Sequence, residues 1–153
     1  MATGRMLRRT ISTCEELADC SLLARLLYTW GLPHSSDWGV LAASPRKLKY
    51  TVLPMSDETP EEIAQATQEL VSAGLWCAFE ADGALFVYYP TFDRYQDVRK
   101  RTSALRDGLP LPPGKGGNGR EVPETSHNLR EVPGKSGKIR EKSDQEKRSE
   151  EKR

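Results

Sequence analysis

Metal-binding and redox residues are scarce in this chain. Its three cysteines, Cys14, Cys20 and Cys77, form no CxxC pair, and its only histidines are His34 and His127. A zinc site has no ligand set here, and no cofactor is expected. Unpaired cysteines fit a reducing cytosol, where a small buried thiol packs as an apolar residue. Long hydrophobic runs are missing too, since none approaches the ~18 residues of a membrane span. Arg5, Arg8 and Arg9 have no apolar stretch behind them, so no signal peptide is expected. The expectation is a soluble, cytoplasmic protein without membrane contact.

Catalytic constellations are equally thin. Gly134-Lys135-Ser136 suggests a phosphate-binding loop, but Leu129 stands where that motif needs glycine, and no strand precedes it. The histidines have no paired nucleophile. Glu15-Glu16 and Glu61-Glu62 fall at predicted helix N-termini, where the macrodipole accounts for them. The sequence predicts no enzyme.

What is present is unevenly spread. All eleven aromatics lie between Tyr28 and Tyr95. Residues 108–153 hold few strong apolar side chains, namely Leu109, Leu111, Val122, Leu129, Val132 and Ile139. That is too little burial to offset the entropy of ordering the segment. Within it Arg120-Glu121-Val122-Pro123 recurs as Arg130-Glu131-Val132-Pro133, and Arg140-Glu141 keeps the ten-residue step. The organisation expected is a basic arm over 1–11, a folded domain over 12–106, and a disordered low-complexity tail over 107–153. Residues 1–107 carry 12 basic against 14 acidic side chains, net −2, while 108–153 carry 11 against 8, net +3. A mildly acidic body is not a generic phosphate binder, so any nucleic-acid contact has to come from local patches.

Helix and strand signals fill the domain. Ser12-Thr13-Cys14-Glu15 has the capping-box pattern and predicts a short helix to about Asp19. Leu22, Leu23, Leu26, Leu27 and Trp30 predict one apolar helical stripe, capped by Ser21 or Asp19 and ended at Gly31-Leu32-Pro33. Trp38 to Leu41 reads as a short strand that pairs with a later hairpin. Ser44-Pro45 opens a basic helix over Arg46 to Leu53, with Leu48, Val52 and Leu53 inward, and Pro54 stops it. Thr59-Pro60-Glu61-Glu62 opens another, with Ile63, Ala66, Leu70 and Val71 inward and Gly74 as its left-handed cap. Trp76–Glu80 and Leu85–Tyr89 flank Asp82-Gly83, a strong hairpin signal because both central residues of a type I′ turn need positive φ. Beyond them, Phe92 and Tyr95 are expected to pack back on the domain. Helix, strand, helix, turn, helix and hairpin is an α+β winged helix-turn-helix with a C-terminal β-hairpin wing.

In that fold Arg46, Lys47 and Lys49 face phosphates across the backbone, or else form an ordinary solvated face. Gln65, Gln68 and Ser72 lie on the outward face of the Thr59 helix, and glutamine can pair with adenine through two bonds. Glu61 and Glu62 on the same helix repel phosphates. The hairpin tip, Ala81 to Ala84, carries no cation for a minor groove. Arg94, Arg99, Lys100 and Arg101, with Arg5, Arg8 and Arg9, are the flanking charges left to supply phosphate contacts. Trp30, Trp38 and Trp76 sit inside apolar patterns and are expected in the core.

The ordered set of motifs resembles the N-terminal winged-helix domain of phage replisome-organiser and replication-initiation proteins, DnaD-like in architecture. It consists of Leu22 to Leu27, Asp37-Trp38-Gly39, Ser44 to Lys49, Leu53-Pro54, Thr59 to Glu62, Glu69 to Leu75, Asp82-Gly83 and Tyr89 to Phe92. The resemblance covers about Arg5 to Arg101. It implies a phage or prophage protein that binds double-stranded DNA at a replication origin and helps recruit a helicase loader. The helices from Arg46 and from Thr59 are the ones it points to. A winged-helix transcriptional regulator, or a protein-interaction winged helix without DNA binding, fits the same residues.

Overall fold

The computed structural model describes residues 3–98, 108–115 and 119–121. In chain order it contains α1 (Glu15–Ala18), α2 (Leu22–Gly31), β1 (Val40–Ala42), α3 (Pro45–Val52) and α4 (Pro60–Ser72). The hairpin β2 (Cys77–Ala81) and β3 (Ala84–Tyr88) follows, then α5 (Phe92–Tyr95) and the short β4 (Arg120–Glu121).

Side-chain caps start the three longest helices. Ser21 Oγ accepts from the Ala24 N–H, and Ser44 Oγ from the Lys47 N–H. Thr59 forms the full box: its Oγ1 accepts from the Glu62 N–H at 3.2 Å, and the Glu62 carboxylate accepts from the Thr59 N–H at 3.3 Å. Each such cap satisfies a donor the helix leaves orphaned and contributes about 1 kcal/mol. Ser12 does not cap. It lies within a 3-10 turn, Arg9–Thr13, so Cys14 takes the N-cap place at α1 without a side-chain bond.

The sheet is antiparallel with strand order β1-β3-β2-β4. Asp82 at φ 52° and Gly83 at φ 75° make the tight turn, with Ala81 opposite Ala84. The first strand begins two residues later than predicted and pairs with β3, Val40 against Tyr88. Gly39, at φ 77°, approaches Phe92 so closely that a Cβ would lie 2.6 Å from its ring. No Cβ-bearing residue fits there.

Strand alternation gives the sheet two apolar faces. Leu41, Ala78, Leu85 and Val87 face the helices, and join Leu27, Leu48, Ile63, Leu70 and Trp76 in the main core. Val40, Phe79, Ala81 and Phe86 form a second cluster on the other face, with Trp38, Tyr88 and Leu109 packed against it. The main core is held by polar ties as well. Glu69 on α4 accepts from the Ser21 N–H at 2.9 Å and the Ser21 hydroxyl at 2.7 Å.

Further expectations change. On α2 the buried residues are Ala24, Leu27 and Gly31, while Leu22 is 77% exposed and Trp30 55%. Leu23, Leu26 and Leu27 do pack on the core, but small residues join them where the stripe placed large ones: a Cβ on Gly31 would sit 3.0 Å from the Tyr89 hydroxyl. Trp76 is in the core as expected and Trp38 is half-buried. Phe92 is buried, but Tyr95 is 38% exposed. Sheet structure also extends beyond Arg106, since Glu121 pairs with Phe79 and Arg120 with Glu80.

Candidate nucleic-acid interface

Helix α3 turns Leu48 and Val52 into the core, and this orientation sends Arg46, Lys47, Tyr50 and Thr51 to solvent. Arg46 and Lys47 are free of any salt bridge in the described residues. Lys49 behaves differently. Its ammonium donates to the Ser56 carbonyl and, at 3.2 Å, to the Ser56 hydroxyl, which itself donates to the Leu53 carbonyl. Lys49 therefore clamps the turn between α3 and α4 and is not a free phosphate ligand. Its field also reaches Glu58. Hydrogen bonding from Ser56, then from the residue's own backbone, holds that carboxyl below its usual range, with Lys49 adding a smaller pull.

Sequence reasoning missed Tyr50. It is 78% exposed, one helical turn beyond Arg46, and Met55 in the following turn is 95% exposed. The signal was available, because fixing Leu48 and Val52 inward places position 50 on the opposite side of the helix.

Helix α4 exposes Glu61, Glu62, Gln65 and Ser72. Gln68 is half-buried, and its amide donates to the Ser72 hydroxyl at 3.1 Å, so these two side chains are engaged with each other. Gln65 is the exposed glutamine of the pair. The two acidic residues of the first turn satisfy the macrodipole and the capping box. They place negative charge at the end that enters a groove in a helix-turn-helix complex.

The flanking cations divide. Arg5 is no surface charge: its guanidinium lies 2.9 Å from the Asp37 carboxylate, with the two side chains only 6% and 8% exposed. It also donates to the Ser35 carbonyl at 3.2 Å and stacks 5.3 Å from the Phe92 ring centre. A buried ion pair left with one partner is strongly destabilised, so Arg5 anchors the arm rather than reaching outward. Gln96 completes that anchor, accepting from the Met6 N–H at 3.0 Å and donating to the Met6 carbonyl at 2.7 Å. Arg8 and Arg94 are exposed and each lies 5.6 Å from the Tyr95 ring centre. Arg99, Lys100 and Arg101 lie outside the described residues.

A groove of about 280 Å³ opens between the arm and α5, lined by Met6, Ile11, Tyr28, Phe92 and Tyr95 among others. No residue of α3 or α4 lines it. Burial pushes the Tyr28 hydroxyl up and the Tyr89 hydroxyl well up, and the Tyr89 hydroxyl donates to the Tyr28 carbonyl at 2.6 Å. Among the described residues, no group of three or more His, Cys, Asp or Glu is placed to hold a metal ion. Cys14, Cys20 and Cys77 form no disulfide. No helix of the described residues is long and apolar enough to cross a membrane. Compared with known proteins, the chain matches no family model, no curated protein and no solved structure.

Proposed function

We propose that this is a phage or prophage DNA-binding protein of replication initiation, gripping duplex DNA through a winged helix. In this reading α3 and α4 are the helix-turn-helix, β2 and β3 the wing, and β1 the small strand beside it. The element order and the pairing of β1 with β3 support it. The observation that carries it is the outer face of α3, where Arg46, Lys47 and Tyr50 stand exposed together on the helix that crosses the phosphate backbone in such folds. Arg8 and Arg94 around Tyr95 supply further phosphate contacts. Gln65 is the remaining base-contacting candidate on α4. The role in replication, with a helicase loader as partner, rests on the resemblance of the ordered motifs.

A mobility-shift titration of labelled duplex DNA from 50 to 200 mM salt tests the reading. Each phosphate neutralised contributes a log–log slope of about −0.9, so Arg8, Arg46, Lys47 and Arg94 together require a slope of about −3.6. A slope near zero retires DNA binding. The second reading, a protein-interaction winged helix, is favoured by one observation: Leu22 and Trp30 leave large apolar area on α2 open to solvent.

A further inference from the structure

The β2 edge is covered by a segment whose Arg-Glu pair recurs downstream. A two-residue turn makes Ala81–Ala84, Phe79–Phe86 and Cys77–Tyr88 the pairs that exchange both backbone bonds. The Glu80 amide and carbonyl then point away from β3, toward the edge where Arg120 stands opposite. Two side-chain features and one register pairing define the seat. A Cβ at Gly119 would lie 2.4 Å and 2.9 Å from Phe79 ring carbons and 3.2 Å from the Glu80 carbonyl, so that place takes glycine alone. The next residue, Arg120, stands opposite Glu80 in the strand register. Glu121 accepts a hydrogen bond from the Tyr88 hydroxyl at 2.9 Å.

We propose that the outer edge of β2 is a peptide-docking strand that recognises an extended Gly-Arg-Glu segment, occupied within the chain by Gly119–Glu121. The recurring copies are Leu129-Arg130-Glu131 and Ile139-Arg140-Glu141. Both keep the Arg-Glu pair and both replace the glycine, so Phe79 and the Glu80 carbonyl reject them. The glycine place therefore sets which repeat docks. Strand addition of this kind takes affinity from the main chain and specificity from alternate side chains. Two paired residues make a weak seat, held at high occupancy because the tether makes docking intramolecular. Nothing in this depends on contact with DNA.

The test uses the full-length chain and follows hydrogen exchange of the Glu80 amide by NMR. Gly119→Leu is expected to speed that exchange at least tenfold while the circular-dichroism signal of the helices stays unchanged. Burial, and next the Glu121 hydrogen bond, raise the Tyr88 hydroxyl above its ordinary range. In the variant its titration should therefore move down. Adding Leu129→Gly to Gly119→Leu should restore both signals, because the second copy then carries Gly-Arg-Glu. Unchanged Glu80 exchange in Gly119→Leu overturns the docking edge, and failure of the double variant to recover overturns recognition of the repeat. Should Gly119→Leu lose its helices, Glu121→Val replaces it; it is expected to lower the Tyr88 titration and speed Glu80 exchange in a folded domain, and no change in either overturns the seat. Protection that rises with protein concentration overturns the intrachain occupant in favour of a neighbouring copy.

Discussion

Helices α3 and α4 begin alike and end in opposite electrostatic states. Both open on a hydroxyl cap followed by proline, Ser44-Pro45 and Thr59-Pro60. Both bury a comparable apolar stripe, with Leu48 and Val52 on one and Ile63, Ala66 and Leu70 on the other. Outward, α3 offers Arg46 and Lys47, whereas α4 offers Glu61 and Glu62 at its head. The capping box explains why the acids are there. A carboxylate at the third helical position satisfies the Thr59 amide and the macrodipole together, so α4 is stabilised by the charge that a phosphate would repel. In the proposed DNA complex, affinity therefore belongs to α3, and α4 contributes position and Gln65.

The comparison breaks first at Arg46 and Lys47. Reversing both to Glu should weaken duplex binding on the order of a hundredfold at 50 mM salt and make the log–log slope shallower by about 2. Thermal stability should not fall, because both side chains project into water and Glu at the second and third helical positions suits the macrodipole. If affinity holds in the folded double variant, α3 is not the gripping helix.

Lys49 sharpens the same contrast from inside α3. It lies three residues from Arg46 yet spends its charge on Ser56. Lys49→Met keeps the aliphatic stem and removes the donors, and should destabilise the domain by about 1 kcal/mol, discounted for partial solvent exposure. The salt slope of DNA binding should be unaltered. A slope that drops by a full contact would return Lys49 to the phosphate ligands.

The difference between Lys49 and its neighbours shows where the sequence was legible. Caps, the Asp82-Gly83 turn, Gly74 and the inward faces of α3 and α4 follow from local rules, because each is decided within a few residues. Arg5 could not be placed that way. Its burial against Asp37 depends on a contact across 32 positions, and as sequence it is one more charge in a basic arm. The α2 stripe held at Leu23, Leu26 and Leu27 and missed at its ends for a related reason: Ala24 and Gly31 are core residues by virtue of close packing, and hydrophobicity gives them little weight. Arg120–Glu121 was invisible too, since its apolar content is low and its place on β2 rests on main-chain pairing. The candidate surface on α3 was readable except for Tyr50, and the exclusion of Lys49 needed the geometry of the turn.

The smallest expected effect lies on α4. Glu61 is exposed, stands in the first turn and takes no part in the reciprocal box, so Glu61→Gln removes one repulsive charge without touching the cap. If α4 enters a groove between phosphates, duplex affinity should rise about two- to fivefold at 50 mM salt, and the gain should fade by 200 mM as screening shortens the reach of the charge. The lost macrodipole interaction should lower stability by no more than about 0.5 kcal/mol, readable as a small shift in the urea midpoint. Glu62→Gln is the companion control, because it removes the same charge while weakening the bond to the Thr59 amide. Equal affinity gains in both variants, with the larger stability loss at Glu62, place α4 against the duplex. No gain in either places α4 away from it, and leaves α3 to bind alone.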